Sequence, residues 1–286
     1  MRLVTFHSGG GARPGLVRDD RVIDVGSLYS SVNEIVAEGE AALERLREIE
    51  DSSGMPLTEV RLGPPLVPFN IFCVGWNYLK HFQEGAMRRD EELPDHPAFF
   101  SKALGTVIGP TDDIPAHTDV TSSLDYEVEL TVVIGAPGRS IAQERALEHV
   151  FGYTVGNDVS ARDVQRRHGG QWLKGKSLDG TCPLGPWIVT RDEIPDPQQL
   201  EVTSRVNGEE RQRSTTDLMM FPVADLVSRL SEGMTLRPGD VLLTGTPEGV
   251  AMGMEEPRYL APGDVVECEV SSIGALRNEV RAGPGP

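Results

Sequence analysis

Glycine and proline interrupt this chain so often that long helices have little room to form. The 286 residues include 31 glycines and 21 prolines, and both residue types break helices and favour turns. Between these breaks lie short apolar runs of the length and composition that β-strands prefer. We therefore expect an α+β protein that is mainly β, with many short strands joined by turns.

The first 66 residues form a candidate separate unit. MRLVTF and RVIDV predict short strands around the turn-rich GGGARPG, and the apolar spacing predicts one helix over Ser31–Ile49. A polar break at Asp51–Gly54 and the proline-rich segment LGPPLVP follow. These prolines place a boundary near residue 66. The prediction is a small N-terminal α/β domain at 1–66 before a larger domain at 67–286.

The larger domain is expected to alternate strands and turns. The clearest predicted strands are IFCVGWN (71–77), DYEVELTVVIG (125–135) and YTVGND (153–158). Asn207-Gly208 predicts a hairpin turn, and FPVADLVSRLSEG (221–233) predicts a helix. Residues 78–97 are polar, with a charged run, and predict a mobile loop with a short helix.

A further short helix is predicted at residues 140–152. Ser140 and Gln143 have the spacing of a capping box, in which each side chain accepts a backbone N–H of the first turn. Gly152 would end this helix.

The charge of the chain excludes some partners. Its formal net charge is −17, and an acidic surface repels nucleic acid and anionic membranes. An anionic substrate would need a local positive centre. We find neither an apolar leader segment nor a run of about 20 apolar residues, so the expected location is the cytoplasm. The three cysteines, Cys73, Cys182 and Cys268, fit buried thiols rather than a disulfide framework.

Two glutamates in the predicted strand DYEVEL share one face. Side chains alternate along a strand, so Glu127 and Glu129 point the same way. Glu-x-Glu is also ordinary on a solvated sheet face, and alone it favours that interpretation. Asp158 adds a third carboxylate where YTVGND ends, and strand ends are where site residues collect. Such an all-oxygen set suits Mg²⁺ or Mn²⁺, and Ca²⁺ less well.

A literal P-loop pattern is present at residues 170–177, GQWLKGKS. A true P-loop follows a strand and opens a helix, because the helix N-terminus binds phosphate. Here the segment that follows is rich in glycine and proline and cannot form a helix. We therefore reject a nucleotide hydrolase, and retain Lys176 as a cation close in sequence to the carboxylates.

Six segments together resemble the fumarylacetoacetate hydrolase family. They are VGWNYLKHFQE, DYEVEL, GYTVGNDVSARDVQ, QWLKGKS, PLGPWIVT and VLLTGTPEGV, and they occur in the family's order. The resemblance covers roughly residues 68–280, and the first 66 residues resemble the small leading domain that many members carry. One departure stands at Ala251, where many members have glycine, and it is expected to alter a pocket wall.

The resemblance implies a catalytic domain built as a mixed β-roll, usually dimeric. It implies Mg²⁺ or Mn²⁺ held by the residues numbered here Glu127, Glu129 and Asp158. It also implies that His81 and Glu84 form an acid–base pair. If residues 79–86 become helical on closure, these two lie at i and i+3 and can meet.

The family's remaining site positions are implied by the same resemblance. Gln165 and Arg162 match positions that face the substrate, Lys176 matches the family lysine, and Thr246 matches a residue that contacts the substrate carboxylate. Lys174 is expected to face solvent. In an alternative structural role, Arg162 and Lys176 would pair with Asp163 or Asp179.

The expected activity is Mg²⁺-dependent hydrolysis of a C–C bond in a small 2-oxo or 2,4-dioxo acid, through a metal-bound enolate. His81, assisted by Glu84, would activate water, while Lys176 and Gln165 stabilise the oxyanion. Residues 78–97 would close as a lid.

Two other functions stay open. One is a decarboxylase or keto–enol isomerase of a 2-oxo dioic acid in aromatic catabolism, acting on oxaloacetate or a 2-hydroxyhepta-2,4-diene-1,7-dioate. The other is a metal-stabilised β-protein without catalytic activity.

Overall fold

Short strands dominate the computed structural model, which describes residues 1–49, 54–84 and 92–283. The helices in this part of the chain have six to nine residues each: α1 (Val32–Glu38), α2 (Glu40–Arg47), α3 (Leu79–Glu84), α4 (Arg162–Arg167) and α5 (Val223–Ser231). The strands are β1 (Arg2–Ser8), β2 (Gly11–Arg18), β3 (Arg21–Asp24), β4 (Met55–Pro56), β5 (Arg61–Leu62), β6 (Ile71–Gly75), β7 (Ala98–Ser101), β8 (Val107–Ile108), β9 (Ile114–Pro115), β10 (Leu124–Asp125), β11 (Val128–Ile134), β12 (Gly138–Arg139), β13 (Val150–Asn157), β14 (Ser160–Ala161), β15 (Cys182–Thr190), β16 (Glu201–Val206), β17 (Glu209–Thr215), β18 (Thr235–Leu236), β19 (Val241–Leu243), β20 (Val265–Val270) and β21 (Gly274–Arg281).

The largest sheet has 12 strands and runs in the order β4-β3-β2-β1-β15-β13-β11-β19-β6-β7, with β5 on β1 and β8 on β15. It is mixed, because β19–β6 and β15–β8 are parallel pairs among antiparallel ones. The N-terminal strands join it where Arg2 of β1 pairs with Val189 of β15. The backbone sheet is thus continuous across residue 66, and the division into domains 1–66 and 67–286 stays a prediction.

A second sheet covers the first and closes the core. Its five strands run in the order β17-β16-β20-β21-β9. The main apolar cluster joins side chains of both sheets, among them Val128 and Leu130 from β11 and Val202, Val266 and Leu276 from the smaller sheet. Burial of this shared face is the main stabilising contribution. The predicted α+β architecture, mainly β, is confirmed.

Most of the individual element predictions are confirmed. The predicted strands at 71–77 and 153–158 correspond to β6 and β13, and the helix at 221–233 corresponds to α5. Asn207 and Gly208 both have positive φ, 54° and 79°, and join β16 to β17 as a tight hairpin. All three cysteines are free and buried.

The N-terminal unit differs from its prediction in two places. The single helix predicted over Ser31–Ile49 is wrong, because α1 and α2 are separated at Gly39, whose φ of 68° breaks the helix. GGGARPG is turn only at its start, and its later residues form β2, paired along its length with β1. Residues 51–53 of the predicted polar break lie outside the described residues.

The helix predicted at 140–152 is also wrong. A 3₁₀ helix spans only Gln143–His149, and β13 begins at Val150. Ser140 does not cap it. This residue has φ 50°, and its hydroxyl accepts the Gly233 N–H at 3.2 Å. Gly152 ends no helix and lies inside β13, where β15 approaches closely.

Gly152 generates a prediction about stability. A Cβ at this position would stand 2.3 Å from the Val189 carbonyl oxygen and 2.9 Å from the Ile188 side chain. Because the obstacle is backbone, Gly152→Ala is expected to lower the free energy of unfolding by about 1–3 kcal/mol, measured by urea denaturation.

The matched control is Gly11→Ala, which also changes a strand glycine but meets no atom within 4 Å. It is expected to stay within about 0.5 kcal/mol of the wild type. Equal stabilities for the two variants would show that β13 and β15 are not packed as described.

Candidate active site

One cavity of the molecule collects almost all the residues singled out from the sequence. It is a cavity of about 530 Å³ lined by segments from both halves of the chain. The predicted residues that line it are His81, Glu84, Glu127, Glu129, Arg162, Gln165, Lys176 and Thr246. Asp158, which is fully buried, is not in the lining but is bonded to Lys176, which is.

Three carboxylates meet at the wall of this cavity, two of them in its lining and Asp158 behind it. Glu127, Glu129 and Asp158 each offer an oxygen, and these oxygens lie within 4.8 Å of one another. All three residues are at most 4% exposed. A solvated sheet face, the alternative interpretation of Glu-x-Glu, is therefore wrong.

Two neighbouring strands bring the carboxylates together. Glu129 lies in β11, and Asp158 follows β13, its partner strand. Glu127 is not in the strand as predicted, since β11 begins at Val128, but it stays in register through its backbone. The Asp158 N–H donates to the Glu127 carbonyl oxygen at 2.8 Å.

Three buried cations surround these carboxylates. Lys176 Nζ donates to Glu127 Oε2 at 2.5 Å and to Asp158 Oδ2 at 2.8 Å. Lys102 Nζ donates to the other oxygen of Asp158 at 2.7 Å and to the Val159 carbonyl at 3.0 Å.

The third cation, Arg162, connects the carboxylates to a fourth acid. Its guanidinium donates to Glu127 Oε1 at 2.5 Å and to Asp125 Oδ2 at 2.9 Å. The alternative pairing of Arg162 and Lys176 with Asp163 or Asp179 is wrong, because both cations bind the buried acids.

The buried cations compensate the charge of Glu127 but not that of Glu129, so the pKa values of the two carboxyls shift in opposite directions. Burial alone would raise the pKa of Glu127, but Arg162 and Lys176 outweigh it and lower that pKa to about 2. Burial raises the pKa of Glu129 well above its ordinary value, and the negative charges of Asp158 and Glu127 raise it further. Among the described residues, no lysine or arginine forms an ion pair with Glu129, which accepts the Gly245 N–H at 2.7 Å.

This donor set fits a divalent cation. Four buried acids, counting Asp125, face three buried bases, so the fully ionised cluster carries one excess negative charge. The excess is concentrated on Glu129, next to two further carboxylates. A hard cation with a preference for carboxylate oxygen would relieve that repulsion, as Mg²⁺ and Mn²⁺ do in proteins.

A histidine–carboxylate pair lines the same cavity. Residues 79–84 are already helical as α3, so His81 and Glu84 lie at i and i+3, and His81 Nδ1 is 2.5 Å from Glu84 Oε1. The other Glu84 oxygen accepts the Gly249 N–H at 2.8 Å. With Nδ1 engaged, Nε2 is the ring nitrogen left to exchange a proton. Residues 85–91 of the predicted lid lie outside the described residues.

An aromatic wall was not anticipated from the sequence. Trp172 meets Trp76 and Phe100 edge to face, with ring centroids at 4.4 and 5.2 Å. Trp76 has φ 55°, unusual for a bulky residue. Gly75 admits Trp172, since a Cβ there would stand 2.4 Å from its ring. The one signal in the sequence is the concentration of aromatic residues in and beside the segments 71–77 and 170–177.

Sequence reasoning also missed Lys102 and Asp125. Lys102 follows the aromatic strand β7, and Asp125 opens the DYEVE segment, so each adjoined a predicted site feature. Asp125 accepts the N–H groups of Ala251 and Met252 at 2.8 and 3.1 Å. The expectation that Ala251 alters a pocket wall is wrong, because this side chain packs in the core and Met252 lines the cavity.

The structure also places Lys174, the 170–177 segment and Thr246. Lys174 is exposed, as predicted, so of the two lysines in this segment only Lys176 enters the cluster. The 170–177 segment follows α4 and leads into turns, so it lacks P-loop geometry. The Thr246 hydroxyl donates to the Val128 carbonyl at 3.0 Å and accepts from Gln212. Its contact with a substrate carboxylate stays a prediction.

Comparison with known proteins relates this chain to a family of enzymes. A sequence model described as "Fumarylacetoacetate (FAA) hydrolase C-terminal" matches residues 70–281. The chain is 40% identical over 274 residues to an oxaloacetate tautomerase of Bacillus subtilis, covering 92% of this chain and 90% of that protein.

Two solved structures share the fold. A fumarylacetoacetate hydrolase from Exiguobacterium antarcticum is 42% identical, covers 99% of this chain and 100% of its own, and superposes with a TM-score of 0.88. A maleylpyruvate hydrolase from Sphingobium sp. SYK-6, in complex with manganese(II) and pyruvate, is 28% identical over 99% of this chain and 100% of its own, with a TM-score of 0.81. In the described residues of our structure, no helix is long and apolar enough to span a membrane.

Lys102 generates a prediction about the buried cluster. Its side chain is fully buried, so Lys102→Met removes a positive charge and leaves Asp158 with Lys176 alone. Breaking a buried ion pair in this way is expected to reduce the free energy of unfolding by about 3–5 kcal/mol, measured by chemical denaturation.

Lys174→Met is the control, because it removes an exposed lysine from the segment that also carries Lys176. It is expected to have almost no effect. A loss of less than about 1 kcal/mol in Lys102→Met, the size of a surface pair, would contradict a structural role for Lys102.

Proposed function

The chain belongs to the fumarylacetoacetate hydrolase family, and we propose that it catalyses the keto–enol interconversion of a small 2-oxo acid, with oxaloacetate as the first candidate. The name of the Bacillus subtilis relative supports this choice at 40% identity over almost the whole chain. The sequence placed C–C hydrolysis first and isomerisation second. The relatives favour the second activity.

The observation that carries the proposal is the position of one acid–base group beside the carboxylate cluster. His81 and the acids Glu127 and Glu129 line a single cavity. Tautomerisation moves one proton between the carbon next to the carbonyl and the carbonyl oxygen. It breaks no C–C bond and consumes no water, so one imidazole that both accepts and returns a proton is sufficient.

His81 is prepared for such a transfer by its surroundings. Glu84 fixes the ring by its bond to Nδ1 and stabilises the imidazolium that forms when Nε2 takes a proton. Glu84 is itself held by the Gly249 N–H, and Gly253 leaves room for it, since a Cβ there would stand 2.5 Å from its oxygen. Contacts on both sides of Glu84 therefore hold the pair in position for the transfer.

We assign the metal site to Glu127, Glu129 and Asp158, with Mg²⁺ as first choice and Mn²⁺ as second. The manganese and pyruvate in the related hydrolase support a divalent cation in this family. When bound, such an ion supplies positive charge that stabilises the negative oxygen of an enolate. Ca²⁺ is the third choice, since it prefers more oxygen ligands.

The remaining polar residues have distinct proposed roles. Lys176 uses two of its three N–H donors on Glu127 and Asp158 and retains one for a substrate oxygen. Arg162 is engaged with Asp125 and Glu127, so its main role is to position Glu127. Gln165 is half-buried in the lining and can donate its amide to the substrate.

C–C hydrolysis is the second candidate. Its support is the similarity in fold to the Exiguobacterium antarcticum and Sphingobium hydrolases. It would use the same groups, with His81 taking a proton from water instead of carbon. The homodimer and the cytoplasmic location expected from the sequence stay predictions.

The metal assignment predicts a change in stability that does not depend on activity. In EDTA, Glu129→Gln is expected to be at least as stable as the wild type, because it removes one of three repelling charges. Mg²⁺ at roughly 100 times its Kd is expected to stabilise the wild type by about 2.7 kcal/mol and to raise its Tm. Glu129→Gln is expected to lose this gain.

Glu144→Gln provides the control for this thermal shift, since Glu144 is an exposed glutamate outside the cavity. It is expected to keep the full response to Mg²⁺. An undiminished response in Glu129→Gln would remove Glu129 from the metal site.

The proposed activity is tested by following the ultraviolet absorbance of enol-oxaloacetate as it converts to the keto form. The wild type with Mg²⁺ is expected to accelerate this conversion, and EDTA is expected to abolish the effect. His81→Ala is expected to reduce kcat by a factor on the order of 10²–10⁴ while keeping the thermal response to Mg²⁺.

His7→Ala is the matched control, because His7 is an exposed histidine of β1 that does not line the cavity. It is expected to behave as the wild type. No acceleration by the metal-loaded wild type would refute tautomerisation of oxaloacetate, and an unaffected His81→Ala would exclude His81 from the reaction.

A further inference from the structure

Helix α4 presents a row of polar side chains to the cavity. Arg162, Gln165 and Arg166 all line it. These positions stand at i, i+3 and i+4, which share one face of a helix. Arg167, the next residue, is outside the lining and bonds Asp163 at 2.9 Å. The face that meets the cavity therefore ends with Arg166.

Exposure rises along this row. Arg162 is only 3% exposed, Gln165 is half-buried, and Arg166 is exposed to solvent. The row thus leads from the carboxylate cluster at the floor of the cavity to its mouth. A substrate whose reacting end lies at the floor would extend its other end toward Arg166.

Arg166 differs from the other cations of the cavity in having no acidic partner. Among the described residues that line the cavity, the other basic groups with permanent charge are Arg162 and Lys176, and each binds two carboxylates. Arg166 forms no ion pair or hydrogen bond with the described part of the chain. Its guanidinium keeps all its donors for a ligand.

An unpaired guanidinium gives this acidic protein a local positive charge that can attract an anionic substrate. The net charge of −17 repels an anion that approaches the surface. The cluster at the floor is already neutralised within one charge, so it offers little attraction beyond that of its metal. A single free arginine at the mouth attracts a second negative group, and its planar fork matches a carboxylate.

We propose that Arg166 binds the distal carboxylate of the substrate and thereby selects 2-oxo dioic acids over 2-oxo monoacids. This assignment rests on the proposed tautomerase function for the reaction and adds the residue that sets the substrate class. The 2-oxo carboxylate lies at the floor, and the second carboxylate forms charge-assisted hydrogen bonds with Arg166.

The test compares two substrates that differ only at the distal group. Oxaloacetate carries a carboxylate where 2-oxobutanoate carries a methyl group, and both exchange a C3 proton for deuterium through the enol. Exchange is followed by NMR in D₂O with the Mg²⁺-loaded protein, after subtraction of the uncatalysed rate. Arg166→Gln, Arg166→Lys and Arg167→Gln are measured beside the wild type.

Arg166→Gln is expected to lower kcat/KM for oxaloacetate by about 10- to 100-fold, mainly through KM, because a charge-assisted hydrogen bond is lost. Its kcat/KM for 2-oxobutanoate is expected to change little. Arg166→Lys is expected to retain part of the preference. Arg167→Gln removes the neighbouring arginine outside the cavity and is expected to leave both substrates unaffected.

Three results would overturn the assignment: no loss with oxaloacetate in Arg166→Gln, equal losses with both substrates, or the same loss in Arg167→Gln. If the wild type exchanges neither substrate, the proposed function fails, and binding then tests Arg166 alone. In that case oxaloacetate is expected to raise the Tm of the Mg²⁺-loaded wild type more than 2-oxobutanoate does. Arg166→Gln must lose this difference, and if it keeps the difference the assignment is wrong.

Discussion

Three buried carboxylates held within 4.8 Å of one another set the main physical constraint on this molecule. Burial disfavours each charge, and their mutual repulsion adds to that cost. Three buried cations and one backbone N–H partly offset this cost: Lys102, Lys176, Arg162 and the Gly245 N–H. The balance is incomplete at Glu129, with which no lysine or arginine of the described residues forms an ion pair. A divalent ion would complete this balance, so the proposed metal binding uses the same groups that stabilise the fold.

The pairing of strands in the large sheet positions this cluster. Pairing of β11 with β13 sets Glu129 and Asp158 side by side. On the other side of β13, β15 packs closely against Gly152. α4 then carries Arg162 to the floor of the cavity and Arg166 to its mouth. The basic side chains at the floor of the cavity are thus paired with carboxylates, whereas Arg166 at its mouth has no acidic partner among the described residues. Such an arrangement suits a small anion whose two ends differ in function.

Local pattern predicted the site better than it predicted the connecting elements. The alternation in DYEVEL and the end of YTVGND located the three carboxylates, because strand periodicity is a local property. The helix boundaries at Gly39 and Ser140 were missed, because a positive φ and a tertiary bond to Gly233 decided them. The short helix predicted within residues 78–97 is present as α3, and the pairing of His81 with Glu84 does not require closure, because this helix is already formed.

Other features could not be read from single positions. Lys102 lies 56 residues before the aspartate that it binds, so only the folded sheet brings the two together. Trp172 enters the cavity because Gly75, on another segment, lacks a side chain. The alternative in which Arg162 pairs with the nearby Asp163 or Asp179 fails, because Arg162 instead binds the buried Asp125 and Glu127. Long-range contacts and burial therefore determine these partners and positions, which spacing along the sequence does not reveal.

The fate of the carbon skeleton distinguishes tautomerisation from C–C bond cleavage. The metal-loaded protein is incubated with ¹³C-labelled oxaloacetate and, separately, with an acylpyruvate, and the products are followed by NMR. We expect rapid equilibration of the enol and keto forms of oxaloacetate, with the four-carbon skeleton intact and the acylpyruvate cleaved slowly or not at all. Rapid cleavage of the acylpyruvate, or release of CO₂ and pyruvate from oxaloacetate faster than its enol equilibrates, would contradict the proposed activity.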